Sequence, residues 1–265
     1  MPSADAKRRF ISSRRSPRAH SSGFLLAGLY TASFWFCMLT MFATVDCRPH
    51  NMSEPRWINP CDLPGHLFDP LSDMVGAPYV DEFEIAQGLA KKSRLARDQA
   101  KHLFTEFIDE AFADGSFLDG LSSHRLTWLP KVTRSEVRNM DLPEACPFWF
   151  RVMQYYGVGM EQVIMDEVLY GGSFLTFYRE AENHLTQLLC QLQMSIYLLR
   201  VKQDPDVLRD VMNQKYRSGA MSQRMLRNYL IFRDYINALE IMVETFEGLQ
   251  ARTKPTTTLE QQSLY

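Results

Sequence analysis

Cysteine is scarce in this chain: five residues in 265, at positions 37, 47, 61, 146 and 190, with no Cys-x-x-Cys spacing and no histidine pair beside them. A zinc site is excluded as a reading. Catalytic signatures are missing as well. There is no G-x-S-x-G turn and no H-E-x-x-H helix. Gly157-x-Gly159 lacks the third glycine and the preceding strand that dinucleotide binding requires. Glu180 is four and Glu182 two residues from His184, so the Glu-x-x-His pair of a di-iron bundle does not form. His66, His102, His124 and His184 fall one to a segment and read as core-edge or partly exposed side chains. Nowhere does the sequence alternate with the period of a strand. The acidic triplet Asp204-Pro205-Asp206 therefore reads as a helix terminator followed by a cap, since a nucleotide-sugar transferase needs an α/β sheet around such a motif. The expectation is a protein that is not an enzyme and carries neither cofactor nor metal.

Negative charge is almost absent from the N-terminus, where only Asp5 opposes Lys7, Arg8, Arg9, Arg14, Arg15 and Arg18. Behind them, Gly23–Val45 is a run of 23 residues without a charge. At ~1.5 Å per residue it reaches about 34 Å as a helix, enough to cross a ~30 Å hydrocarbon core, and the flanking charge leaves the N-terminus cytosolic. Residues 1–47 are thus either a signal peptide, cut between Thr44 and Arg48, or a type II signal anchor. In both cases the remainder is lumenal or extracellular. Asn51-Met52-Ser53 is a glycosylation sequon, whereas Asn59 is followed by Pro60 and is not. Cys37 lies inside the apolar run, which leaves Cys47, Cys61, Cys146 and Cys190 as disulfide candidates with three pairings. Beyond residue 47 there are 23 basic against 29 acidic residues, which argues against nucleic acid as a partner.

Four long apolar periodicities follow a lead-in over 48–80 that holds eight prolines or glycines. Helix A is expected over 81–113, from the spacing of Phe83, Ala86, Leu89, Ala90, Ala96, Ala100, Leu103 and Phe107, with Asp114-Gly115 as its stop. Helix B runs from Cys146 to Tyr170 behind a first-turn proline, irregular at Gly157 and Gly159, and ends at Gly171-Gly172. Helix C starts at a Ser173 cap and continues to about Lys202. A short helix over 207–216 precedes helix D, which runs from a Ser222 cap to Gln250 with Tyr229, Phe232, Ile236, Leu239, Val243 and Phe246 as a buried seam. Residues 81–250 form the helical bundle domain, and 251–265 are a disordered polar tail.

About 30 residues join A to B, two join B to C, and about 19 join C to D. A two-residue turn makes B and C antiparallel, while both longer connections can span the length of a helix at ~3.3 Å per residue. The chain is therefore read as all-α, a four-helix bundle with long A–B and C–D crossovers. Its up-up-down-down alternative resembles growth hormones and helical cytokines in architecture, although no family motif matches residue by residue. An up-down bundle is the competing topology.

If Cys190 is level with position 153 across the B–C turn, Cys146 lies ~10 Å further along the bundle, beyond the ~7 Å that a bridge tolerates. Cys61, on the lead-in, is expected to reach Cys146 or Cys190 instead. Two surface features are candidate partner-binding sites. Lys91, Arg94, Arg97 and Lys101 form a basic stripe on helix A, suited to an acidic receptor patch or a sulfated polysaccharide. On helix D, Leu226, Leu230 and Ile241 lie opposite the seam, to be covered either by a partner or by the A–B crossover, which carries Phe117, Leu118, Leu121, Leu126, Trp128 and Leu129. The sequence points to a secreted helical ligand for a cell-surface receptor or other extracellular protein, touching a membrane only through an uncleaved N-terminal run. The alternative is a type II membrane protein of the secretory pathway with a lumenal adaptor or chaperone-like bundle.

Overall fold

The computed structural model describes residues 54–63, 81–112, 120–217 and 219–254, and among them helices are joined by turns and loops with no strand. They are α1 (Glu82–Ala111), α2 (Arg134–Val137), α3 (Leu142–Tyr170), α4 (Leu175–Leu199) and α5 (Met221–Thr253). The leader, Cys47, the Asn51 sequon, Phe117, Leu118 and the tail from 255 lie outside the described residues. None of the described helices is long and apolar enough to cross a membrane.

The four long helices sit where the periodicity puts them, and their ends correct the sequence reading. Asp81 caps α1 by accepting from Phe83 N–H at 2.8 Å. The second long helix in chain order, α3, starts four residues before Cys146, because Asp141 and Glu144 form a reciprocal capping box and Pro143 takes the first-turn place assigned to Pro147. Ser173 does not cap α4. Phe174 holds that position, its N–H bonded to Glu167 Oε2 at 3.0 Å, while Ser173 Oγ bonds Glu110. Ser222 does not cap α5 either: Ala220 precedes the helix and its N–H is met by Gln223 Oε1 at 3.1 Å. That helix runs to Thr253, three residues into the segment read as tail. The expected helix over 207–216 is two 3₁₀ turns, Arg209–Val211 and Gln214–Tyr216. Val207 cannot join a helix because its N–H is held by Gln154 Oε1 and its carbonyl by Trp57 Nε1.

Side-chain pairs fix how neighbouring helices run. Arg94 meets Glu247 and Lys101 meets Glu240, seven residues up α1 against seven down α5, so this most extensively packed pair is antiparallel. Lys92 bonds Gln187 while Glu110 bonds Ser173, so α1 and α4 are antiparallel too. The turn at Gly171-Gly172, with Gly171 at φ 66°, reverses the chain between α3 and α4. Tyr156 donates to Asp234 O and Arg227 pairs with Asp166, which sets α3 against α5 in opposite directions. Aromatic rings fill one end: Phe104, Phe107, Phe174, Phe177, Tyr178 and Phe232 pack on one another, stacked, tilted or edge-on, from α1, the cap and first turn of α4, and α5.

The expected irregularity at Gly157 and Gly159 is absent, and α3 passes through both as continuous helix. The glycines serve packing. A Cβ on Gly157 would fall 2.9 Å from Trp57 Cβ, and one on Gly159 would fall 3.1 Å from Ile231 Cγ2. Trp57, 3% exposed, is thereby seated on α3, with its carbonyl accepting from Gln154. Gly157→Ala is expected to lower stability by about 1 kcal/mol net, since overpacking outweighs the better helix propensity of alanine. Gly88→Ala is the control, with its nearest new neighbour at 3.8 Å, and it is expected to stabilise by up to ~1 kcal/mol. Urea midpoints of the two variants, shifted in opposite directions, check this.

Candidate functional site

Cys61 and Cys190 form a disulfide, one of the two pairings expected for Cys61, and the lead-in is tied to α4. Around it Cys61 N–H donates to Gln193 Oε1, and Gln193 donates to Asn59. Cys146 is a free thiol with no exposed surface, on the core face of α3, and burial pushes its pKa up to about 12. At neutral pH it is held as the neutral thiol, so native protein is expected to resist iodoacetamide at this position and to react there once unfolded. Peptide mapping of alkylated samples with and without denaturant tests this.

The basic stripe is on the surface, but three of its four cations are matched from within the chain. Lys91, Arg94 and Lys101 are exposed and Arg97 is half-buried. Arg94 pairs with Glu247, Lys101 with Glu240 at 2.7 Å, and Arg97 with its neighbour Asp98. Arg134 of α2 joins the same ladder at 2.6 Å from Glu244, and this guanidinium holds the Glu244 carboxyl below its ordinary range. A partner would meet a stripe whose field is largely cancelled.

The second apolar face of α5 has its cover. Leu121, Leu126, Trp128 and Leu129 of the α1–α2 connection are buried, and Arg233 on α5 donates to the carbonyls of Leu121 and His124. Leu230 and Ile241 are buried and do not form an exposed face, while Leu226 is half-buried. Leu226 and Leu230 nevertheless line a half-open cleft of about 210 Å³, together with Leu126, Lys215, Tyr216, Gln223, Arg224 and Arg227.

This cleft lies at the end of the bundle where α3 stops and α5 starts. One of its lining side chains, Arg227, is held in a buried ion pair with Asp166, each side chain 5% exposed. Gln162 donates to the other Asp166 oxygen, and Arg227 Nη1 donates to Tyr216 O. Toward solvent, the Arg224 guanidinium lies 3.8 Å from the centre of the Tyr170 ring and the Lys215 ammonium 4.8 Å from that of Tyr216. Glu167, below them, is turned inward to the Phe174 N–H; burial pushes its carboxyl up, against the lowering from that hydrogen bond. Four of the seven exposed large apolar side chains among the described residues belong to the same end: Val168, Leu169, Tyr170 and Met221.

The sequence reading missed Lys215, Arg224 and the Val168–Tyr170 knuckle. One signal could have found the cations: residues 211–233 hold five Lys or Arg and no acid, in a chain that is acidic beyond its leader. Among the described residues no cluster of three His, Cys, Asp or Glu could hold a metal ion. In comparisons with known proteins, the chain matches no family model, no curated protein and no solved structure.

Proposed function

We propose that this protein is a secreted helical ligand that acts by binding a cell-surface receptor or another extracellular protein, with the bundle architecture of helical cytokines. The carrying observation is the set of helix directions. Each neighbouring pair in the ring α1–α5–α3–α4 is antiparallel, which supports α1 and α3 running one way and α4 and α5 the other. That is the up-up-down-down arrangement, and the long connections on either side of α3–α4 suit it. The disulfide adds support for an oxidising compartment, in line with the leader and the sequon.

Expression of the full reading frame in secreting cells separates this from the type II alternative. The expected product is in the medium, begins between Thr44 and Arg48, and loses mass on enzymatic deglycosylation unless Asn51 is replaced by glutamine. A chain that stays in carbonate-washed membranes with its leader intact would overturn secretion and favour the anchored adaptor.

A further inference from the structure

We infer that the cleft between Leu126, the second 3₁₀ turn and the start of α5 is a docking site for an acidic, apolar-tipped segment of a protein partner. Size is the first argument. At about 210 Å³ the cleft falls below the ~300–1,000 Å³ of sites for drug-sized molecules and cofactors, and it suits one or two anchoring side chains. Its outer edge continues into Tyr170 and, one turn before Arg224, Met221, which are 62% and 71% exposed. Exposed apolar side chains beside a small pocket are the form of a protein interface with a central anchor.

Charge decides the chemistry of the occupant. Among the described residues of α3, the acids toward this end are engaged: Asp166 with Arg227 and Gln162, Glu167 with the Phe174 N–H, and Glu161 with Arg209, while Asp109 and Glu110 at the end of α1 are exposed and outside the cleft lining. Asp210 is exposed on the first 3₁₀ turn, outside the cleft lining. Among the cations, Arg227 and Arg233 are turned to Asp166 and Asp234, and Arg217 donates to the carbonyls of Arg209 and Met212. Lys215 and Arg224 lie at the mouth, each held over a tyrosine ring that pre-orders its charge, with Leu126, Leu226 and Leu230 behind them. Arg224 Nη1 also donates to the Gly219 carbonyl at 2.8 Å, a neutral acceptor that leaves the guanidinium charge without a carboxylate in hydrogen-bond contact among the described residues. A carboxylate at the mouth and an apolar side chain inside satisfy both halves. At the opposite end of α5 the chain supplies its own complement, because Glu240, Glu244 and Glu247 meet Lys101, Arg134 and Arg94.

The inference rests on the partner-binding reading above, and its test does not require the natural partner. The probe is a fluorescein-labelled peptide, Gly-Asp-Glu-Leu-Glu-Phe-Asp-Gly, titrated by anisotropy with the full chain from whichever fraction of secreting cells holds it. Binding is expected to weaken with salt and to weaken about tenfold or more in Lys215→Glu/Arg224→Glu, the scale of losing an interface hot spot. Lys215→Gln/Arg224→Gln, milder toward folding, should lose affinity in the same direction. Lys91→Glu/Lys131→Glu, with the same change in charge at two exposed lysines outside the cleft lining, should bind as the parent does. Equal binding by the Lys91/Lys131 and Lys215/Arg224 variants, by a peptide with lysine for each acid, or by one with serine for Leu and Phe would overturn the site, as would no binding at all. Peptide binding by a protein that binds no cell surface would instead leave the site standing and remove the receptor reading.

Discussion

Asp166→Ala is expected to lower the free energy of unfolding by about 3–5 kcal/mol, because it leaves the Arg227 charge buried without its counter-ion. Both side chains are 5% exposed, so the lost carboxylate is poorly replaced by water. The remaining partners of Arg227, Asn228 Oδ1 and the Tyr216 carbonyl, are neutral acceptors. Against a total stability of roughly 5–15 kcal/mol the loss is large, and secretion should fall with it. Asp166→Leu/Arg227→Met should recover most of the difference, since an apolar pair of similar size removes the charge as well as its partner. Urea unfolding of the two variants checks the argument; a mild single variant, within ~0.5 kcal/mol of the parent, would mean that this end of the bundle is open to water.

The second large effect belongs to the disulfide. Cys61→Ser/Cys190→Ser opens a loop of 129 residues, and chain entropy alone assigns about 5 kcal/mol to closing one of that length, against a usual range of 2–5. Most of the loss acts through the unfolded chain, so the folded variant should keep its helical circular dichroism while its urea midpoint falls. Trp57 gives the lead-in a second hold, through its burial and its bond to the Val207 carbonyl at 2.8 Å. The lead-in is therefore expected to stay docked in the variant at low denaturant. An unchanged midpoint would show that the bridge adds nothing to the stability of the bundle.

The helices were legible because apolar spacing records burial directly: Leu89, Ala96, Ala100, Leu103 and Phe107 are on the core face of α1 as their period requires. The start of α3 was legible too, in Asp141-x-x-Glu144, but Pro147 drew the reading one turn late. Helix register excluded a Cys146–Cys190 bridge correctly, and the core stripe of α3 that continues through Trp149, Met153 and Tyr156 would have buried Cys146. What a single helix cannot display is the surface it meets. The stripe of Arg94 and Lys101 looked free because its acids stand on α5, although Glu240 and Glu247 carry the same seven-residue interval. Likewise Gly157 looked like a flaw in a helix until Trp57, 100 residues earlier in the chain, occupied the space it leaves. The cleft was illegible for a related reason, since Leu126, Lys215 and Arg224 come from three segments.

Equilibrium binding to intact cells tests the central claim most directly. The product from the medium, fluorescently labelled on its glycan or a C-terminal tag, is titrated onto a panel of cell types from the source organism and displaced with unlabelled protein. A ligand gives saturable, displaceable binding on some of those cells, weakened by Lys215→Glu/Arg224→Glu and retained by Lys91→Glu/Lys131→Glu. Linear, non-displaceable uptake on every cell type, identical for the parent and both variants, would contradict it.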